Sequence, residues 1–246
     1  MEEREVSDEF TFFYWPGILG RGEFVRLVLE GAGVQYRDIG REEGMAAVVE
    51  GAGIGGTRTA NAPFAPPYLR HGDTVVFQTA NICAYLGLRL DLAPETEKDR
   101  HFALGVALTV EDFVREIHDT HHPIAVSKYY EDQKPEAMLR AEDFRSNRMP
   151  TFLQYFETLI ETNPSQSEWL VGEELTYCDL SLFQVVEGLR YAFPNALLGL
   201  VGDIERTTEL VERVRNHERI AAYLESDRRL PFNQDGIFRH YPELDI

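Results

Sequence analysis

The sequence predicts an α/β unit followed by an all-α unit, and three observations carry that reading. Over the first ~90 residues, strand-prone and helical segments alternate as β-α-β and then β-β-α, the order of a small sheet with helices on its faces. Beyond Pro94 the strand signals stop, and four segments carry apolar residues at helical spacing. Pro94 closes the linker between the two patterns, so the expected units are residues 8–90 and 95–246.

Residues 9–14, Glu-Phe-Thr-Phe-Phe-Tyr, are aromatic and β-prone, and Pro16 and Gly17 stop the strand they form. Residues 22–32 place Phe24, Val25, Val28 and Leu29 on one helical face, and Gly33 suits the left-handed residue that ends such a helix. Residues 35–39 read as a second strand, parallel to the first because a helix connects them. A helical turn fits residues 45–50, and the glycine-rich run 51–56 reads as a mobile loop. Residues 66–69 and 75–77 flank Gly72-Asp73 as a hairpin. Gln78-Thr79 opens a helix that Gly87 is expected to end. In the second unit, residues 98–120, 135–161, 176–191 and 204–225 are the helical segments. Thr176 and Asp179 have the spacing of a capping box before Leu180.

Composition narrows the function. With 24 basic and 42 acidic residues the formal charge is -18, a surface that repels phosphate backbones and anionic lipid. Nucleic acid and membranes are therefore not expected partners. At 43% hydrophobic residues the chain can build a proper core. Its N-terminus is acidic and lacks the order of a signal peptide. Cys83 and Cys178 stand far apart among apolar neighbours, which fits buried thiols in a reducing cytoplasm.

Three motifs point to a family. Phe13-Tyr14-Trp15-Pro16 with Gly20-Arg21-Gly22-Glu23-Phe24-Val25-Arg26-Leu27 resembles the first strand and helix of cytosolic glutathione transferases, most closely the tyrosine-type sigma, pi, mu and alpha classes. Pro67, Gly72-Asp73 and Gln78-Thr79-Ala80-Asn81-Ile82 resemble their cis-proline hairpin and glutathione-holding turn. Gly172 with Leu175-Thr176-Tyr177-Cys178-Asp179-Leu180 resembles the capping motif of their helical domain. The resemblance runs over residues 10–227 and implies a thioredoxin-like glutathione-binding domain followed by a helical domain. It also implies a cytoplasmic homodimer without metal, acting in detoxification by adding glutathione to electrophilic small molecules. Pro66-Pro67 at the cis-proline position marks a bacterial-type member.

Each group of glutathione then needs a partner. Its thiol has a pKa of about 8.5 and reacts as the thiolate. Tyr14 matches the family's catalytic tyrosine, whose hydroxyl donates to the sulfur; one charge-assisted hydrogen bond supplies about the 1.4 kcal/mol that one unit of thiol acidity requires. Gln78 and Thr79 open a helix, where free N–H groups and the Thr79 hydroxyl can meet the γ-glutamyl carboxylate. Pro66 precedes the matched cis-proline and has no N–H, so it offers the cysteinyl backbone only a carbonyl, about 0.5–1.5 kcal/mol short of a two-bond pairing. Asp112 matches an aspartate that reaches the glutathione of the neighbouring subunit, which would complete the site in a dimer. Arg41, Arg58 and, less directly, Arg21 are candidates for the glycine carboxylate, while Arg26 reads as an internal structural partner.

The resemblance further implies an apolar second-substrate cleft lined by Trp15, His122, Tyr129 and Phe238. The tail from Leu230 onward is aromatic and turn-rich and is expected to pack back over that cleft with Phe238 or Tyr241. His118, His121 and His122 crowd one segment, but Pro123 follows at once and no open acidic ligand set accompanies them, so they read as structural or cleft-lining. The alternative to a transferase is a non-catalytic glutathione- or ligand-binding protein of the same fold. Peroxidase and isomerase activity stay open within the enzyme reading.

Overall fold

The computed structural model describes residues 9–53 and 62–246. Strands β1 (Phe10–Phe13), β2 (Tyr36–Asp38), β3 (Tyr68–His71) and β4 (Thr74–Phe77) form one sheet in the order β2-β1-β3-β4. β1 pairs parallel to β2 through α1 (Gly22–Ala32), as the connecting helix dictates, and antiparallel to β3. β3 and β4 form the hairpin.

Alternation along the strands divides the core in two. Phe10, Phe12, Leu69 and Val76 face α1, α4 (Thr79–Arg89) and the helical half, in one large buried cluster. Phe13 and Tyr68 face the other way, stacked at 4.3 Å between ring centres, and join Ile39 and Val48 in a smaller cluster. The Tyr68 hydroxyl donates to the Val48 carbonyl at 3.0 Å, tying α3 (Met45–Glu50) to the sheet.

Several expected boundaries move. Ile39 begins a short helix, α2 (Ile39–Glu43), rather than ending β2. Gly87 lies inside α4, not at its end: a Cβ there would press on Tyr177 and the Leu92 carbonyl, so glycine permits close packing of helices. Gly51, Ala52 and Gly53 are described, whereas the rest of the 51–56 loop, Arg58 and residues 1–8 lie outside the described residues. Gly33 takes the left-handed conformation, φ 70°, that ends α1.

The C-terminal half is helical: α5 (Glu97–Asp119), α6 (Lys134–Asp143), α7 (Met149–Glu161), α8 (Tyr177–Ala192), α9 (Pro194–Leu198), α10 (Glu205–Arg215) and α11 (Glu218–Leu224). A wider π-helical turn over Phe144–Arg148 joins α6 to α7, and a break at Asn216 and His217 splits the last expected segment. The Thr176–Asp179 capping box opens α8, the central helix, which is buried nearly all round. Cys83 and Cys178 are both buried, and burial pushes both thiols up. Among the described residues no helix is long and apolar enough to cross a membrane.

The tail is fastened along its length. Arg228 pairs with Glu30 and Arg229 with the buried Glu23, both on α1. Asn233 donates to the Gly17 carbonyl at 2.9 Å. Phe232 stacks on Tyr191, and Tyr241 on Tyr130 at 3.8 Å. The Asp245 carboxylate accepts from the Asn195 and Ala196 N–H groups at 2.8 and 3.0 Å, serving the start of α9.

Candidate active site

The sheet register brings the principal candidates together. Phe13 pairs with Tyr68, and Tyr68 with Phe77. The residues just beyond those three, Tyr14, Pro67 and Gln78, therefore sit side by side at one end of β1, β3 and β4. The Pro66–Pro67 bond is cis, and Gln78 holds φ 71°, a conformation rare outside glycine, as the backbone turns from β4 into α4. Thr79, 3% exposed, is the first residue of α4. Its N–H is one of the free donors that a helix start offers to an anion.

Tyr14 is 4% exposed. Its ring lies beneath the 20–22 turn, where a Cβ on Gly20 would collide with the hydroxyl and one on Gly22 with the ring; Gly20 also has φ 44°. The Arg21 N–H donates to the Tyr14 hydroxyl oxygen at 2.8 Å. Burial pushes the phenol above its ordinary range, outweighing the Arg21 N–H and the Arg21 and Arg26 charges that pull it down. Tyr14 is thus a neutral hydroxyl near pH 7, able to donate a proton in a hydrogen bond but not to act as a base.

Arg21 contributes differently from expectation. Its guanidinium is paired with Glu111 on α5, and its backbone is what reaches Tyr14. Burial raises the Glu111 carboxyl, with the Arg21 charge opposing that. Glu111 carries no sequence signal, being 90 residues from Arg21. Asp112 follows it on the helix and, about 100° further round, is exposed. Arg41 is held by Asp38 at 3.4 Å and by the Arg228 carbonyl, in a groove with Glu30, Tyr36 and Arg219.

The residues expected to line a second-substrate cleft do not share one environment. Trp15 is half-buried and touches both core clusters. Tyr129 is 79% exposed. Phe238 is 2% exposed, its ring seated where a Cβ on Gly188 would otherwise stand, so it is a core residue rather than an open wall. His118, His121 and His122 cluster with ring centres 4.9–5.1 Å apart. His121 Nε2 lies 2.8 Å from the Ile237 carbonyl, which can only accept, so that nitrogen carries the hydrogen. Burial takes the His121 pKa down to about 2. The buried Gln133 side chain anchors His122 at 3.1 Å and receives the Ile124 and Ala125 N–H groups. Among the described residues no group of three His, Cys, Asp or Glu is placed to hold a metal ion.

The chain is similar to known proteins along most of its length. Residues 118–227 match the family model of the glutathione S-transferase C-terminal domain. The chain is 25% identical over 228 residues to human glutathione S-transferase Mu 4, covering 90% of this chain and 93% of that one. It is 26% identical to glutathione S-transferase P 2 of Bufo bufo, covering 92% and 98%. A Pi-class glutathione S-transferase structure from Onchocerca volvulus superposes with a TM-score of 0.70 at 18% identity, over 93% of this chain and 99% of that one, a likeness of fold. In its sheet topology, its helical C-terminal domain and these matches, the chain is similar to cytosolic glutathione S-transferases along most of its length.

Proposed function

We propose that this protein is a glutathione transferase in which the Tyr14 hydroxyl donates to the glutathione sulfur and holds it as the thiolate, which then adds to an electrophilic small molecule. The observation that carries this reading is the row formed by Tyr14, Pro67 and Gln78 at one sheet end, with Thr79 opening α4 beside it. A tripeptide lying along that row has its thiol near Tyr14, its backbone beside Pro66 and Pro67, and its γ-glutamyl carboxylate at the start of α4. Asp112, exposed on α5, is free to reach the ammonium of a glutathione held by a second copy of the chain, which makes the working unit a homodimer. Residues 8–90 bind glutathione in this reading, and residues 95–246 supply the electrophile side with Trp15 and His122. A cytoplasmic setting follows from the reducing environment that glutathione needs.

Pro66 favours one competing reading, a non-catalytic glutathione-binding protein, because it withholds a backbone donor from the tripeptide. Titration of bound glutathione by thiolate absorbance separates the two. The wild-type protein should hold the thiol well below its free value of about 8.5, and Tyr14→Phe should return it most of the way. Equal values in both proteins would reject the role of Tyr14.

A further inference from the structure

Arg26, on α1, is fully buried, and the reaction outlined above makes no use of its charge. Its Nε donates to Asp38 at 2.7 Å. Nη1 forms a buried ion pair with Glu23 Oε2 at 3.6 Å, too long for a hydrogen bond, and among the described residues neither Nη1 nor Nη2 has a hydrogen-bond partner. A buried guanidinium with two idle nitrogens is costly unless something else meets its charge.

Glu23 and Asp38 meet part of that charge, and aromatic faces lie against the guanidinium as well. Arg26 Cζ lies 5.3 Å from the ring centre of Phe12 and 5.9 Å from that of Tyr14. Those rings are 6.3 Å apart and nearly parallel, at 16°. Both distances fall within the range at which a cation is attracted to a ring face. The same field acts on the phenol: a cation against the face of Tyr14 favours negative charge on its oxygen and makes the O–H a stronger donor.

We propose that Arg26 is a positioning residue for the glutathione thiol, acting through the Tyr14 ring to strengthen the hydroxyl as a donor. Only the last step rests on the glutathione reading; the action on the phenol stands without it. The surrounding charges fix the sign of each test. Arg21 faces the hydroxyl from the loop, while Glu23 on α1, Asp38 at the end of β2, Arg41 on α2 and Arg229 after α11 surround Arg26. The Tyr223 hydroxyl of α11 donates to Glu23 at 2.8 Å. Asp38 neutralises Arg26, so removing the one charge should act opposite to removing the other.

The experiment compares Arg26→Gln, Asp38→Asn and Tyr14→Phe in the full chain. Two titrations are read: the Tyr14 phenol in the free protein, by ultraviolet difference against Tyr14→Phe, and the thiol of bound glutathione. Arg26→Gln should raise both values and Asp38→Asn should lower both, changing the thiolate fraction below the midpoint about three- to tenfold. Structural damage would move both variants in the same direction, so a common direction overturns the inference. A folded Asp38→Asn that titrates like wild type also overturns it, which keeps the test decisive if Arg26→Gln does not fold. If Tyr14→Phe leaves the thiol unmoved while Asp38→Asn lowers the phenol, the glutathione reading fails and this one stands.

Discussion

The Arg21 N–H donates to the oxygen of the Tyr14 hydroxyl at 2.8 Å, which leaves the hydroxyl's own hydrogen uncommitted by that bond. A phenol that accepts from a backbone donor is a better donor itself, because the two bonds polarise each other. The side chain of the same arginine is anchored on α5 by Glu111, so the helical half holds the turn that poises Tyr14.

That turn has no spare volume over the tyrosine ring, and this gives the first prediction. Gly22→Ala should cost about 1–3 kcal/mol, because a methyl must displace a fully packed ring. Urea unfolding should show the loss, and the glutathione-dependent rate should fall more than stability alone explains, since the ring must shift.

The hydroxyl of Thr79 should matter to glutathione and little to the fold. Thr79→Ala should raise KM for glutathione about five- to tenfold, the loss of roughly one hydrogen bond to a charged group. Thr79→Ser should stay near wild type. Equal KM values for all three would remove Thr79 from the site.

The tail holds the fold together, which revises what its removal should do. A tail that only covered a cleft could be deleted at the cost of electrophile preference alone, but the segment beyond Leu230 carries Ile237, Phe238 and Leu244 into the core. Truncation should therefore lower Tm sharply. Phe238→Ala alone should cost about 3–5 kcal/mol as a cavity opens over Gly188. Asp245→Ala should cost about 1 kcal/mol by stripping α9 of its cap. Thermal melts of the three proteins check the order.

Acid should weaken the histidine cluster. Burial lowers the His121 pKa to about 2, against about 6.5 unfolded, so its contribution is complete above pH 6.5 and is lost as pH falls below it. Between pH 6.5 and 5.5 this one group should remove up to about 1 kcal/mol. His118 and His122, also lowered by burial, act in the same direction. Asp179, raised to about 6 by burial, acts in the opposite one. The difference between wild type and His121→Leu cancels Asp179, and urea unfolding at pH 7.5 and 5.5 should show a smaller pH loss in the variant.

The order of elements, the split into a sheet half and a helical half, and the motif segments of the principal row were legible in the chain. Those are local properties: α1 spans residues 22–32 as its apolar spacing requires, and Thr176 with Asp179 makes its capping box within one turn. Tyr14, Pro67 and Gln78 were picked out by the resemblance of their segments to the glutathione transferase motifs, which are themselves short and local. Packing between distant elements settled that the Arg21 side chain pairs with Glu111, that Gly87 spaces two helices instead of ending one, and that Phe238 fills the core. It also decided that Arg26 lies under Tyr14. These are contacts between elements distant in sequence, made by packing and by the need of buried charges for partners, and neither leaves a periodic trace in the chain. The resemblance of its own segment points to Tyr14, whereas the Arg21 N–H and the Arg26 guanidinium come against it only in three dimensions.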